Sequence, residues 1–559
     1  MTTGVAGFPI LTAFCVGGVM ESYIQVWAMQ SGVYTWSSGF VKFLEKKNLG
    51  YLYWMEPFDF AIVFAYFAIL AILSFYGFHR YLLVWLSRRY RGCAAVCKKR
   101  FEELPHVTVQ LPFYNEMYVV KRVVDAVCSF DYPRDRFEVQ LLDDSTDETQ
   151  GIARALAEDW RQRGIDIHYI HRSERQGFKA GALEHGLKTA KGEFVAIFDA
   201  DFVPQPDFLQ KAIHYFTDPG VGLVQARWEH LNREYSFLTR AQAILLDGHF
   251  MMESNTRFLS GRFFNFNGTA GVLRRQAIAE AGGWEHDTLT EDLDLSYRAQ
   301  MKGWKFIFLP DLPVPAELPV EIKSFKTQQC RWAKGAMQTG KKTLPRLLRS
   351  GCSPAEKLEA WYHLTANVSY PLMLLLELLL FPVIIVRYSQ GWFQLVTIDL
   401  PLFLLSFASV NTFYIASQRS LHKDWLRRIL YLPGVMSIGI GMTVVVAKAV
   451  LEGAAGIKSP FVRTPKFSVE GNSGDWAKKK YRGKLGLVPF IEIALGLYFT
   501  WMNYYAWSMG IYGVMPFLLL FQFGYLYTGA GTMIQGLRRM NLPVLRMPLK
   551  GERVEARAR

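Results

Sequence analysis

Long apolar segments at both ends of the chain, separated by a mixed stretch of some 250 residues, are the feature that most restricts its fold. A helix needs about 20 apolar residues to cross a bilayer. Phe58–Trp85, Trp361–Val386, Trp392–Ala416 and Leu485–Trp507 satisfy this, Ile511–Ile534 is equally apolar, and Gly4–Met29 is a weaker candidate interrupted by Glu21. The interior from about Glu102 to Arg349 is mixed in composition and reads as a soluble domain. The expected architecture is therefore a multi-span helical membrane domain with a soluble domain inserted in it.

The excess of 63 Lys and Arg over 49 Asp and Glu gives a net charge of +14. The excess gathers beside apolar segments, at Arg88, Arg89 and Arg91, Lys98–Arg100, Lys478–Lys480, and Arg538 with Arg539. This is the pattern of loops retained on the cytoplasmic side of a membrane. No zinc-finger spacing or other nucleic-acid-binding motif accompanies it, so no nucleic-acid partner is expected. The six cysteines contain no CxxC pair and imply no disulfide framework. The N-terminus lacks the basic region of a cleaved signal peptide.

Tyr431–Leu451 is apolar enough to span, yet basic residues lie on both sides of it: Arg419, Lys423, Arg427 and Arg428 before, Lys458, Arg463 and Lys466 after. One crossing cannot leave both flanks on one side, so this segment is expected to be interfacial or re-entrant. The topology then closes, with the soluble domain and the basic tail both cytoplasmic.

Within the soluble domain, short apolar runs alternate with helical patterns. Strands are expected at Val107–Tyr114, Phe137–Leu142, Ile165–His171, Phe194–Phe198 and Val221–Ala226, with helices at Met117–Phe130 and Asp147–Arg163. That alternation predicts an α/β fold, a mostly parallel sheet covered by helices on both faces. Ligands of such sheets bind beyond the carboxyl ends of the strands.

Three acidic clusters fall where chemistry would need them. Asp143 and Asp144 end one strand, Asp199 and Asp201 end another, and Thr290–Glu291–Asp292 opens a helix. Each alone has an ordinary reading, as turn chemistry, a chance DxD or a helix cap. Together they suit transfer from a donor that leaves as a diphosphate. A DxD offers two carboxylates to Mg²⁺ or Mn²⁺, and a carboxylate on a separate helix can take the proton of an attacking hydroxyl. Lys179 and Arg331 are candidates for the cationic clamp on the leaving group. Their ordinary alternative is surface charge. Gln328 and Arg331 share one helix face, and Trp332 offers either a sugar platform or a membrane-interface anchor.

Taken in order, Asp144, Asp199–Ala200–Asp201, Thr290–Glu291–Asp292 and Gln328–Gln329–Cys330–Arg331–Trp332 resemble the D, DxD, TED and QxxRW pattern of processive family 2 glycosyltransferases, the superfamily of cellulose, hyaluronan and chitin synthases. Over residues 105 to 340 the likeness is greatest to plant cellulose-synthase-like groups that make mannan and the xyloglucan backbone. The resemblance implies a GT-A type domain at 104–318 and interfacial helices with QxxRW at 319–350. Around these the sequence places an N-terminal region at 1–56, a membrane helix at 57–87, hairpins at 361–416 and 485–534, the interfacial or re-entrant helix at 431–455, and a tail at 535–559.

The resemblance also implies roles. Pro112, Asn115, Glu116, Asp143, Asp144, Lys179, Asp199, Asp201, Gln328 and Arg331 would serve the donor, with Asp199 and Asp201 holding Mg²⁺ or Mn²⁺. Asp292 would be the base. Asn267, Gly268, Thr269, Glu291 and Trp332 would meet the acceptor, Asn267 standing where cellulose synthases have cysteine. Phe461, Thr464 and Lys466 match a gating loop, within 456–484. The expected activity is inverting, processive polymerisation of a β-glucan from UDP-glucose, with translocation across the inner or plasma membrane, the partners being the nucleotide sugar, the growing polysaccharide and membrane lipids. GDP-mannose with a mannan product, or single transfer to ceramide or polyprenyl phosphate, are the alternatives. Nothing in the sequence specifies an oligomeric state.

Overall fold

In this computed structural model the described residues are 57–390, 395–459, 461–474, 476, 479 and 486–539. The Gly4–Met29 candidate, Cys15, Lys478, Lys480, Arg482 and the tail beyond Arg539 lie outside them.

The chain enters through helix α1 (Pro57–Arg89) and then builds the soluble domain: β1 (Val107–Phe113), α2 (Val120–Cys128), β2 (Phe137–Asp143), α3 (Thr149–Gln162), β3 (Ile167–His171), α4 (Phe178–Leu187), β4 (Phe194–Ile197) and β5 (Val221–His230). Next come α5 (Phe237–Gly248), a π-helical stretch at His249–Ser254, β6 (Gly271–Arg274), α6 (Glu291–Met301) and β7 (Lys305–Ala316). The seven strands form one sheet in the order β3-β2-β1-β4-β6-β5-β7. All its pairings are parallel except the two made by β6, which runs against β4 and β5.

Strands β1 and β2 are buried at every residue, as expected of a sheet covered on both faces. On one face, α2 turns Val120, Val123, Val124 and Val127 inward at helical spacing, against Val107, Val109 and Leu111. On the other, Ala180, Ala182 and Leu183 of α4 pack with Val195, Ile197 and Phe266. These two cores fix the strand ends, and the loops beyond the carboxyl ends of β1, β2 and β4 are held together above them.

The expected helices and first five strands form, with ends shifted by a few residues. Two strands were not expected. The short β6 follows a tight turn, and β7 carries Pro310, Pro313 and Pro315. Proline is tolerated there because β7 is the last strand of the sheet.

Helix α7 (Ile322–Arg349) leads from this domain into α8 (Pro354–Thr365), α9 (Ser369–Gln390), α10 (Val396–Leu421), α11 (Leu432–Gly441), α12 (Thr443–Ala454), α13 (Val488–Ser508) and α14 (Met515–Arg539). Among the described residues, Pro57–Arg89, Pro354–Arg387, Thr397–Leu421 and Tyr512–Leu537 are long and apolar enough to cross a membrane. The expected crossing at Leu485–Trp507 forms a helix, α13, but is not one of these four: Glu492 and a run of Tyr and Trp lower its hydropathy. Tyr431–Leu451 folds as α11 and α12, which belong to a pair bent by 47°. The soluble domain is pinned to the helical bundle by Lys326 of α7, whose ammonium lies 2.5 Å from Glu492 of α13 and donates to Thr528 O and Thr532 Oγ1 of α14 at 3.0 and 2.9 Å. Both charges are buried.

Candidate active site

An open cleft lies beyond the carboxyl ends of β1, β2 and β4, where ligands of such sheets bind. Its first wall comes from the loops after β1 and β2. Pro112, Glu116 and Asp144 line it. Asp144 is held by a fork from Arg172, Nε to Oδ1 at 2.7 Å and Nη2 to Oδ2 at 2.5 Å. Arg175 stacks 3.5 Å above the ring centroid of Tyr114, which gives this wall a flat cationic face.

Asp143 and Asn115 do not line the cleft. Asp143 is fully buried and accepts from Ser145 N and Tyr169 OH, both at 2.8 Å. Asn115, at φ 54°, accepts from Thr146 N at 2.7 Å and donates its own N–H to Ser145 Oγ at 2.8 Å. Both therefore tie the two loops together, a shaping role in place of the donor contact expected of them.

The loop after β4 supplies Asp199 and Asp201, and each meets a lysine. Lys179, at the start of α4, bonds Asp199 Oδ1 and donates to Gly268 O at 2.9 Å. Lys466 reaches Asp201 Oδ2 at 2.7 Å and also bonds the Glu317 carbonyl. Glu116 lies beside this pair. Burial, helped by the charges of Asp201 and Asp199, pushes its carboxyl up to about 7 against the pull of Arg463 and Lys466. The carboxylates of Asp199 and Asp201 are the kind of oxygen donors that fit a hard divalent cation such as Mg²⁺ or Mn²⁺.

Opposite stands a second wall. Asn267 and Gly268 line it. The π-helical stretch turns His249 so that its Nε2 lies 3.1 Å from Asn267 Nδ2, and Asn265 Nδ2 donates to Asn267 Oδ1 at 2.6 Å. Thr269 does not line the cleft; its Oγ1 accepts the Asp199 N–H at 2.9 Å and fixes the DxD loop. Gly268 has φ 80°, and a Cβ there would lie 2.8 Å from Asp292 Oδ2.

Glu291 and Asp292 occupy the first turn of α6, where the helix favours negative charge. Burial dominates nonetheless. It raises both carboxyls, Asp292 to about 7 with the charge of Glu291 adding to the effect, while Lys179 and Arg331 oppose it. The Lys179 ammonium is itself disfavoured by burial, but Asp199, Glu291 and Asp292 outweigh that and raise its pKa. A base with a pKa near neutrality is well matched to accepting a proton at physiological pH.

Gln328, Arg331 and Trp332 of α7 close the third side. Above them lies the segment after Pro460: Phe461, Arg463, Thr464 and Lys466 all face the cleft. Phe461 stacks on Phe178 at 5.7 Å, and Arg331 sits 4.5 Å from its centroid. Arg463 Nη1 is 3.5 Å from Glu116 Oε1, and Phe467 N donates to Glu317 Oε1 at 2.8 Å. Arg172, Arg175, Glu317 and Arg463 were not singled out as site residues. Arg175 lies four residues before Lys179, whereas the buried Glu317 follows β7 and carries no local signal.

Residues 105–335, which hold every carboxylate that lines this cleft, match the model of the glycosyltransferase like family 2. This is a family 2 glycosyltransferase domain. The chain is 46% identical over 238 residues to probable glucomannan 4-beta-mannosyltransferase 7 of Oryza sativa subsp. japonica, covering 42% of this chain and 41% of that protein. It is 44% identical over 251 residues to glucomannan 4-beta-mannosyltransferase 2 of Arabidopsis thaliana, covering 44% and 47%. The chain thus spans about half the length of the curated relatives it matches. A solved mannosyltransferase, PcManGT from Pyrobaculum calidifontis in complex with GDP-Man and Mn²⁺, is 21% identical with a TM-score of 0.45, covering 70% of this chain and 100% of that one. The glycosyltransferase domain of this chain accounts for Asp144, Asp199, Asp201, Asp292 and Arg331 in one cleft, and the loop that carries Lys466 folds back onto it from outside the matched region.

Proposed function

We propose that this chain is a membrane-embedded, inverting, processive glycosyltransferase that builds a β-linked mannan or glucomannan from GDP-mannose and passes it through its own membrane helices. The observation that carries the donor is the 44–46% identity to glucomannan 4-beta-mannosyltransferases over 238 to 255 residues of this chain. It favours GDP-mannose over the UDP-glucose expected from the sequence. Asn267, in place of the cysteine of cellulose synthases, is in keeping with that preference.

The acceptor hydroxyl lies against Asn267, Gly268 and Trp332 and attacks the anomeric carbon of the donor sugar. Asp292, unprotonated, takes the hydroxyl proton as the new bond forms. The bond to the nucleoside diphosphate breaks, and Lys179 and Arg331 meet the charge that develops on the leaving group. A divalent cation, held by Asp199 and Asp201, supplies further neutralisation of that diphosphate when bound. Phe461, Arg463 and Lys466 cover the cleft and exclude water, which protects the donor from hydrolysis. The catalytic domain faces the cytoplasm, as the basic flanks of the helices require.

The test is nucleotide release by the purified full-length chain in lipid nanodiscs with Mg²⁺ or Mn²⁺, GDP-mannose and UDP-glucose compared side by side and the product sized. GDP release with a long, mannanase-sensitive product is expected. UDP release with a glucanase-sensitive product overturns the donor, and a single hexose on a lipid overturns the polymer.

A further inference from the structure

One face of α7 does two things. Gln328, Arg331 and Trp332 present it to the cleft. Continuing at the same helical spacing, Gly335, Gln338, Thr339 and Lys342 lie on that face one to three turns further along. These four residues meet the segment that ends in the base. A Cβ at Gly335 would come within 2.5 Å of Thr290 Cγ2 and 2.9 Å of Thr290 N, so the two backbones touch with no side chain between them. Gln338 Oε1 accepts the Leu289 N–H at 3.0 Å, and the Thr339 and Thr290 hydroxyls lie 3.2 Å apart.

Lys342 completes the contact. Its ammonium is 2.5 Å from Glu285, 2.8 Å from Asp287 and 3.1 Å from Asp294. Oxygens of these three carboxylates lie within 4.8 Å of one another, a grouping that repels itself unless a cation stands inside it. Asp294 is fully buried and sits on α6 two residues beyond Asp292, and it also receives Arg298 Nε at 2.8 Å. None of Glu285, Asp287, Asp294 and Lys342 lines the cleft.

We propose that Lys342, with Gly335, Gln338 and Thr339, is the positioning element for Asp292: it locks the helix that carries the base to the helix that grips the acceptor and diphosphate, so that α7 sets the distance between them. Lys342 acts as a built-in cation for the 285–294 segment and touches no reactant. The inference rests on the function proposed above, since it takes Asp292 as the base.

The experiment uses the full-length chain in nanodiscs. Lys342→Met and Lys342→Ala are compared with wild type in turnover of GDP-mannose and in hydrogen exchange of the peptide over 284–295. The expected result is a kcat lowered about 10- to 100-fold, as for a base displaced by up to an ångström, with the donor KM changed less than about threefold. Exchange over 284–295 rises in both variants. Lys342→Arg, and ethylammonium added to Lys342→Ala, restore part of the rate, whereas tetramethylammonium at equal ionic strength does not. Gly335→Ala gives the same split by pushing Thr290 away. Wild-type kcat and unchanged exchange in Lys342→Met overturn the proposal, as does a loss confined to KM. If the wild-type chain turns over neither GDP-mannose nor UDP-glucose, the function above falls, and the exchange data still decide whether Lys342 holds the 285–294 segment.

Discussion

Gly268→Ala places a single methyl between the acceptor turn and the base, and its effect can be worked from two numbers. Residue 268 has φ 80°, where an L-residue pays about 1–2 kcal/mol. The new Cβ would lie 2.8 Å from Asp292 Oδ2 and 3.4 Å from Lys179 Nζ. Ordinary contact between carbon and oxygen needs about 3.4 Å, so the Asp292 carboxylate has to retreat by roughly half an ångström. A misplacement of about 1 Å costs on the order of 100-fold in rate, so the expected loss in kcat is roughly tenfold, or about 1.4 kcal/mol of barrier. The methyl touches neither Asp144 nor Asp201 and meets Lys179 Nζ only at ordinary contact distance, so the affinity for GDP is expected to stay within about threefold of wild type. GDP release at saturating donor gives the first quantity, titration of GDP in Mn²⁺ the second, and a thermal melt shows whether the strain has spread beyond the turn. A well-folded Gly268→Ala protein with wild-type kcat would refute the placement of Asp292 against the acceptor turn. An equal loss of GDP affinity would refute the division of the cleft into donor and acceptor walls.

Other changes test the remaining parts of the site. Asp292→Asn keeps the shape and the contact with Leu293 N but removes the base, so kcat should fall by about 10²–10⁴ with GDP binding intact in the same titration. Because burial and Glu291 raise the Asp292 carboxyl to about 7, and only the unprotonated form accepts a proton, turnover should decline as pH falls through that value; a rate flat down to pH 5 would contradict this. Asp201→Ala should weaken GDP binding in Mn²⁺ and remove most of the difference between binding with and without the ion. Lys466→Met leaves the Asp201 and Glu317 sides of the loop without their shared cation, so limited proteolysis should cut within 461–474 faster than in wild type and donor hydrolysis should rise relative to transfer.

Most of the sheet was legible because its inner strands are buried on both faces and so read as continuous apolar runs. Strand β7 was hidden by three prolines that only an edge position tolerates, and β6 by its length of four residues behind the turn at Gly268. The motif order located the cleft, yet it did not separate residues that face the cavity from their neighbours that build it. Asn115, Asp143 and Thr269 lie beside lining residues in the sequence, but their side chains bond the loops to one another. The partners of the acidic residues were less legible still. Arg172 lies 28 positions from Asp144, and Lys466 lies 265 positions from Asp201, distances at which no local pattern links the two.

The Lys326–Glu492 contact gives the lipid a hold on the chemistry. Pulling the pair apart would strand a charge in a buried, apolar setting, at a cost of several kcal/mol, so α7 and the last two helices tilt as one body. Helices answer a change in bilayer thickness by tilting. Lys326 stands two residues before Gln328, so a rotation of α13 and α14 is expected to reach the face of α7 that lines the cleft. Lipid chain length is then expected to be a variable of the turnover rate, acting on the cleft through helices that carry no reacting group.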